Sequence, residues 1–238
     1  MIFKKIKMKK WSGKIRAKFL ENAENATNNF RKFIAKKRLS HAISEFRDEM
    51  LEWEAFYGIL LLSGAIASFG LLKGNEAVVI GAMIITPLVL PLVGISLGIV
   101  ARDFSLFWSS LFRVFLGVAI LFGIAVLVGH FSGNENPRTA SFFLRAAPID
   151  IFDVAIAISA GAVAAISLAS ARQYSRFSGA AIALSLAPPI SVAGIDFAAG
   201  KSEIFWNSTA LFAVNAAGIL GMSFFIFLLF GFRKKSEE

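Results

Sequence analysis

Gly94-Ile95-Ser96-Leu97-Gly98 has the G-x-S-x-G spacing of a serine nucleophile elbow, in which a strand-to-helix turn lifts the hydroxyl clear of the backbone. The base such a serine needs has one candidate in an apolar stretch, His130. The pattern sits in a charge-free apolar run, where small residues four apart let helices approach closely. Asp153 and Asp196 would suit an intramembrane aspartyl protease if they shared a proton. Both lie within about a turn of the end of an apolar stretch, where interfacial solvation accounts for a carboxylate, and no Gly-x-Gly-Asp surrounds Asp196. Arg145 precedes Asp153 across Pro148 and is a candidate structural ion pair with it. Arg113, about nine residues into another stretch, would snorkel to the inner interface or pair with a residue such as Asp103. With no Cys and two His, neither a thiolate centre nor a metal cluster is expected. The sequence points to no catalytic residues, no metal and no cofactor, and so to no enzyme.

What remains is the chemistry of backbone oxygens. Pro87 and Pro91 lie mid-stretch in GAMIITPLVLPLVG, and Pro188 and Pro189 in GAAIALSLAPPISVAG. Proline lacks an N–H and clashes with the carbonyl one turn back, so each pair is expected to break or kink its helix and free carbonyls near Ile84 and Ala183. Inside a membrane such carbonyls must be covered by protein or water. With Gly81, Thr86, Ser185 and Ser191 they would line a path of neutral oxygens for a cation or a small polar solute. The alternative is that the prolines only shape tightly packed helices.

The elements that must hold these groups are membrane helices. Of 238 residues, 56% are apolar and 17% charged, against about 25% charge in a soluble domain, and mean hydropathy is +0.67. Six stretches are near the ~20 residues that cross a bilayer: 55–72, 77–101, 104–131, 151–171, 177–200 and 204–232. The expected fold is therefore an all-α integral membrane protein of about six spans, the second and fifth proline-broken or re-entrant. Residues 1–50 form a basic arm, 51–232 the membrane domain and 233–238 a tail. Basic residues concentrate in the arm and tail, which places both termini in the cytoplasm whether there are six spans or four spans and two hairpins. The fourth stretch carries Ala157, Gly161 and Ala165 four apart, which suits packing against protein and favours a homo-oligomer.

Shifting the chain by 100 residues lays SSLFRVF (109–115) on TALFAVN (209–215) and Gly94 on Gly194. Both halves, 55–131 and 151–232, have the order plain helix, proline-bearing helix, long helix. If each holds three true spans, an odd number, the second enters the membrane upside down: an inverted 3+3 repeat with a midplane site.

The arm is amphipathic. Its first twenty residues carry Lys4, Lys5, Lys7, Lys9, Lys10, Lys14, Arg16 and Lys18 with no acidic residue, and Met8, Trp11, Ile15 and Phe19 share a helical face. That pattern fits an interfacial helix on anionic lipid headgroups and disfavours nucleic acid. A second segment sets Leu39, Ile43, Phe46 and Met50 on one face, to pack on lipid or on a neighbouring subunit.

VVIGAMIITPLVLPLVGISLG (78–98), Arg145, Pro148, Asp153, SAGA (159–162), GAAIALSLAPPISVAG (179–194), Leu211-Phe212 and Asn215 together resemble the bacterial and archaeal membrane family known as domain of unknown function 389. The likeness covers about residues 55–232. It implies a multi-spanning helical protein of the prokaryotic plasma membrane and brings no established activity. Many of its members carry a soluble domain before the hydrophobic region, where this chain has the basic arm. Asp196 stands where the family has small or apolar residues. The function expected is a transporter or channel for a small solute or ion. The alternative is a non-transporting oligomeric scaffold or lipid-interacting protein.

Overall fold

The computed structural model describes residues 52–132, 149–169 and 186–232, with residues 18, 21, 39, 40, 42–44, 46, 47 and 50 before them. The expected lipid contacts Lys4 to Arg16, the pairing residue Arg145, the path residue Ser185 and the tail lie outside the described residues. Lys18 is helical and exposed.

Among the described residues there are helices and turns and no strand. The helices are α1 (Trp53–Lys73), α2 (Glu76–Ile85), α3 (Val89–Ala101), α4 (Phe104–Phe131), α5 (Ile151–Ala169), α6 (Ala187–Ala198) and α7 (Ser202–Leu229). Five helices are long and apolar enough to cross a membrane, α2 and α3 counting as one, so the chain is a multi-pass membrane protein. The fifth of the six expected stretches is described only from Leu186.

Local chemistry sets the boundaries. Gly74, at φ 73°, ends α1 in the left-handed conformation, which glycine adopts without Cβ strain. Asn75 then caps α2 by accepting from Val78 N at 3.2 Å. Arg102, at φ 53°, closes α3 in the same conformation, and Asp103 caps α4 through Leu106 N at 3.0 Å. Asp150 caps α5, accepting from Phe152 N at 2.8 Å and Asp153 N at 3.0 Å, while Asp153 accepts from Asp150 N at 3.0 Å. Asp153 thus completes a reciprocal capping box, a role the expected ion pair did not include.

Each proline pair was expected to break or kink its helix. In the first pair α2 and α3 are separated at Thr86, Pro87 and Leu88, while Pro91, Pro188 and Pro189 occupy the first turn of α3 and α6. The first N–H groups of a helix have no intrahelical acceptor, so proline there removes no bond.

Element starts recur at a fixed interval. Trp53 and Ile151, Val89 and Ala187, and Phe104 and Ser202 are each 98 residues apart. The offset of 100 expected from SSLFRVF and TALFAVN is therefore displaced by two residues. Leu and Phe recur so often in apolar helices that this slip still leaves matches. At 98, Pro91 falls on Pro189, Phe107-Trp108 on Phe205-Trp206, and Ser110 on Ser208. Burial follows the same interval: Ser110, Gly117, Leu121, Ala125 and Gly129 on α4 correspond to Ser208, Asn215, Ile219, Ser223 and Phe227 on α7, all buried.

Packing obeys it too. α4 packs on α1, α3 and α6, and α7 on α5, α6 and α3. α1 and α4 run in the same sense. Arg113 lies over Trp53 with its guanidinium carbon 4.3 Å from the ring centroid, a methyl on Gly117 would fall 3.1 Å from Leu60 Cδ1, and one on Gly64 2.9 Å from Leu121 Cδ2. α5 and α7 likewise run together, with Gly218 on Ala157 and Ser223 Oγ donating to Gly161 O at 3.1 Å. α3 opposes α4, since Gly98 meets Phe107 and Gly117 meets Leu88. α6 follows α4, with Gly194 on Phe122 and Ala125, and Ala198 on Gly129.

The described part of the second amphipathic segment packs on this chain's own core. Leu39, Ala42 and Phe46 belong to the main core. Phe46 is fully buried, its ring so close to Gly94 that a Cβ there would fall 2.3 Å from it. Own-chain helices cover that apolar face because Gly94 leaves the ring a slot.

Candidate functional site

The two short helices form the interior. In α3 all residues but Leu90 and Ile99 are buried, and in α6 all from Ala187 to Asp196. The long helices around them present Phe104, Trp108, Phe115, Phe131, Trp206 and Leu229 outward. A helix apolar on every side and half a bilayer long is placed here by surrounding protein, not by lipid.

Their depth follows from their neighbours. Leu88, which precedes α3, touches Gly117 at the midpoint of the 28-residue α4: a methyl on Gly117 would fall 2.6 Å from Leu88 Cδ2. Leu186 and Asn215 stand 98 residues after Leu88 and Gly117, and both are buried. The N-terminus of α3 thus lies halfway along a membrane-long helix, where its first N–H groups carry a partial positive charge.

The expected path residues fall at different places. Thr86 is buried and donates Oγ1 to Ala82 O at 2.9 Å, closing the last turn of α2. Ser191 is buried on α6 and its hydroxyl has no hydrogen-bond partner among the described residues. Pro91, Pro188 and Pro189 are buried, Pro87 is half-buried, and Gly81 faces open space. α3 and α6 share at most marginal contact. Each lies against the other half's long helix, so these residues form two groups.

The nucleophile pattern dissolves. Ser96 lies inside α3 and donates to Leu220 O on α7 at 2.9 Å. At the related place, a methyl on Gly194 of α6 would meet Phe122 O of α4 at 2.7 Å. Ser96 and Gly194, like Phe122 and Leu220, are 98 residues apart. One half bridges by a hydroxyl the crossing that the other makes by bare backbone contact. His130 is exposed. Asp103, expected near Arg113, pairs instead with Arg47 at 3.5 Å.

Asp196 is fully buried and neither carboxylate oxygen has a hydrogen-bond partner among the described residues. Ser110 and Ser208 are buried and equally unpartnered. Sequence reading passed over this pair of serines; their signal was the Phe-Trp-x-Ser run repeated 98 residues on. No group of three or more metal-ligating side chains occurs among the described residues.

A family model described as "Domain of unknown function (DUF389)" matches residues 83–221, more than half of the chain. The chain belongs to the DUF389 family. The matched region of this DUF389 protein starts in the last turn of α2 and ends in α7, so it holds both short helices. A similar protein is the uncharacterized protein MJ0678 of Methanocaldococcus jannaschii, 30% identical over 175 residues, or 73% of this chain. The chain spans about half, 53%, of that relative's length. No solved structure matches this DUF389 chain.

Proposed function

We propose that the protein moves a small solute or ion, without covalent chemistry, along two half-length helices that begin near the bilayer midplane. The observation that carries the reading is the burial of α3 and α6 inside a shell of long helices, with Leu88 at the midpoint of α4. Such half-helices aim N–H groups at the middle of the membrane, as transporters built from discontinuous helices do. That polarity favours a solute carrying a negative or carbonyl group, where the sequence alone suited a cation or a small polar solute. Asn215 supplies a buried amide at the depth where the other half has Gly117.

The halves are read as an inverted repeat. Parallel α1 and α4 require the chain to recross the membrane through α2 and α3, which disfavours a re-entrant hairpin. α5 and α7 likewise run parallel. The second half begins on the far side, and three spans in each half leave both termini in the cytoplasm of a prokaryotic cell. Trp108 and Trp206, both exposed and 98 residues apart, then mark opposite interfaces. The reading includes a homo-oligomer, because α5 leaves Ile156, Ile158, Val163 and Ile166 outside this chain's described packing, and anionic lipid under the arm.

Flux into reconstituted vesicles tests it, with a panel of small anions, cations and neutral solutes. Wild-type protein is expected to pass at least one of them, and Asn215→Leu, checked for folding, to lose it. No flux across the panel would favour the non-transporting scaffold, to which the small-residue packing of α5 on α7 also lends itself.

A further inference from the structure

Phe46 fills a slot that α3 and α4 leave open. Its ring is fully buried between them: a methyl on Gly94 would fall 2.7 Å from Phe46 Cε2 and 2.5 Å from Ser110 Oγ, so ring and hydroxyl are neighbours. Val192 and Ser208 stand 98 residues after Gly94 and Ser110, and both are buried. There α6 brings a side chain of its own to the place where α3 has none. The second half thus closes its slot with a residue of the same helix. The first closes it with a ring from the arm, which can leave while α3 and α4 stay in place.

The contact of Leu88 with Gly117, which marks the midplane, fixes the depth of the slot. Gly94 is six residues beyond Leu88 and Ser110 seven before Gly117. Both helices therefore put the slot about 9–10 Å from the midplane, toward the end that carries Arg102, where the hydrocarbon layer ends at about 15 Å. Outside the slot the ring meets acyl chains as apolar as the slot itself, so leaving costs packing and no exposure to water. Three features loosen its hold. A cavity of about 290 Å³ beside it, lined by Arg47 and Met50 of the arm and by Ser105 and Ser109 of α4, leaves the adjoining seam unfilled. The ion pair of Arg47 with Asp103, at 3.5 Å, has Arg47 61% exposed, and such a pair binds weakly. Ser110 Oγ has no hydrogen-bond partner among the described residues while the ring covers it, a cost that water relieves on opening.

We propose that residues 39–47 are an autoinhibitory plug: Phe46 closes the slot between α3 and α4 on the cytoplasmic side, and its withdrawal opens the inner half of the solute path. That the opened slot serves transport rests on the function proposed above; that the plug moves does not.

Single cysteines at Ser110 and Ser208, in the full chain in lipid nanodiscs, test it through their rates of reaction with a water-soluble methanethiosulfonate. The rate at a buried thiol follows the fraction of time it is open. Ser110→Cys is expected to react at least tenfold faster than Ser208→Cys. Arg47→Gln, or Asp103→Asn, which keeps an acceptor for the α4 cap, should speed it about two- to fivefold further, and the two together no more than either alone. Neither should alter Ser208→Cys. Equal rates at the two cysteines, or a Ser110→Cys rate indifferent to both substitutions, would make Phe46 permanent core and overturn the plug. In vesicles, with the panel of small anions, cations and neutral solutes, Arg47→Gln should raise the flux of any solute the wild type passes by the factor by which it speeds labelling. Faster labelling with unchanged flux would overturn the gating role. If nothing in the panel crosses in any variant, the transport reading falls and the labelling rates alone decide the plug.

Discussion

Gly161→Ala should separate α5 from α7, and its size can be worked from the seam. An added methyl would fall 2.8 Å from both Ile219 Cα and Ile219 O and 3.1 Å from Gly218 O. These are backbone atoms, so no rotamer change relieves the clash and one helix must shift by roughly 0.6–1 Å to restore van der Waals contact. Overpacking of this kind costs about 1–3 kcal/mol. The same shift stretches the Ser223–Gly161 hydrogen bond of 3.1 Å, worth about 0.6 kcal/mol between membrane helices. Alanine returns about 1 kcal/mol of helix propensity, leaving a net loss of about 0.6–2.6 kcal/mol. Gly221→Ala is the matched control: its methyl meets nothing within 4 Å, so only the gain remains. Reversible unfolding in mixed micelles of dodecyl maltoside and sodium dodecyl sulfate should order the proteins Gly221→Ala, wild type, Gly161→Ala. A Gly161→Ala protein as stable as Gly221→Ala would refute the close parallel packing of α5 on α7.

Phe46→Ala should cost about 3–5 kcal/mol in the same assay, because the ring is fully buried against Gly94; a loss under ~1 kcal/mol would return that segment to the lipid surface. Asp196→Asn should leave stability equal or raise it, since a buried carboxylate with no hydrogen-bond partner among the described residues is removed; a clear loss would mean the carboxylate has a partner. A peptide of residues 1–20 should bind anionic vesicles far more tightly than neutral ones, at about 1 kcal/mol per basic residue; equal binding would remove lipid-surface attraction as the arm's role.

The helical membrane architecture was legible because apolar runs of span length, separated by short polar breaks, admit few other folds. Asn75, Asp103 and Asp150 announce helix starts by residue type alone. The interruption between α2 and α3 lies at Pro87, inside the first expected break; that Pro91, Pro188 and Pro189 stand in first turns was not legible, because a proline in a first turn and one in mid-helix look alike until the boundary is known. The 98-residue spacing of helix starts was not legible: Pro91 and Pro189, which it pairs, are masked in sequence by the nearer match of Pro87 to Pro188. Phe46 on Gly94 was out of reach, since a buried ring and a lipid-facing ring carry the same sequence signal. Ser96 was singled out for a chemistry its helix forbids. Its actual role, bridging α3 to α7, depends on a partner carbonyl at Leu220 that no side chain advertises.

On the proposed reading each half of the chain crosses the membrane an odd number of times, so the halves stand inverted. The chain has no cysteine, and Lys73, Arg102 and Ser202 are exposed at helix junctions. Single cysteines at these three positions, labelled with a membrane-impermeant maleimide in sealed right-side-out vesicles, test the claim most directly. Inversion predicts that Lys73→Cys and Ser202→Cys react from outside and that Arg102→Cys reacts only after the vesicles are opened. Labelling of Lys73→Cys and Arg102→Cys from the same side would contradict it, because α2 and α3 would then return to the face they left.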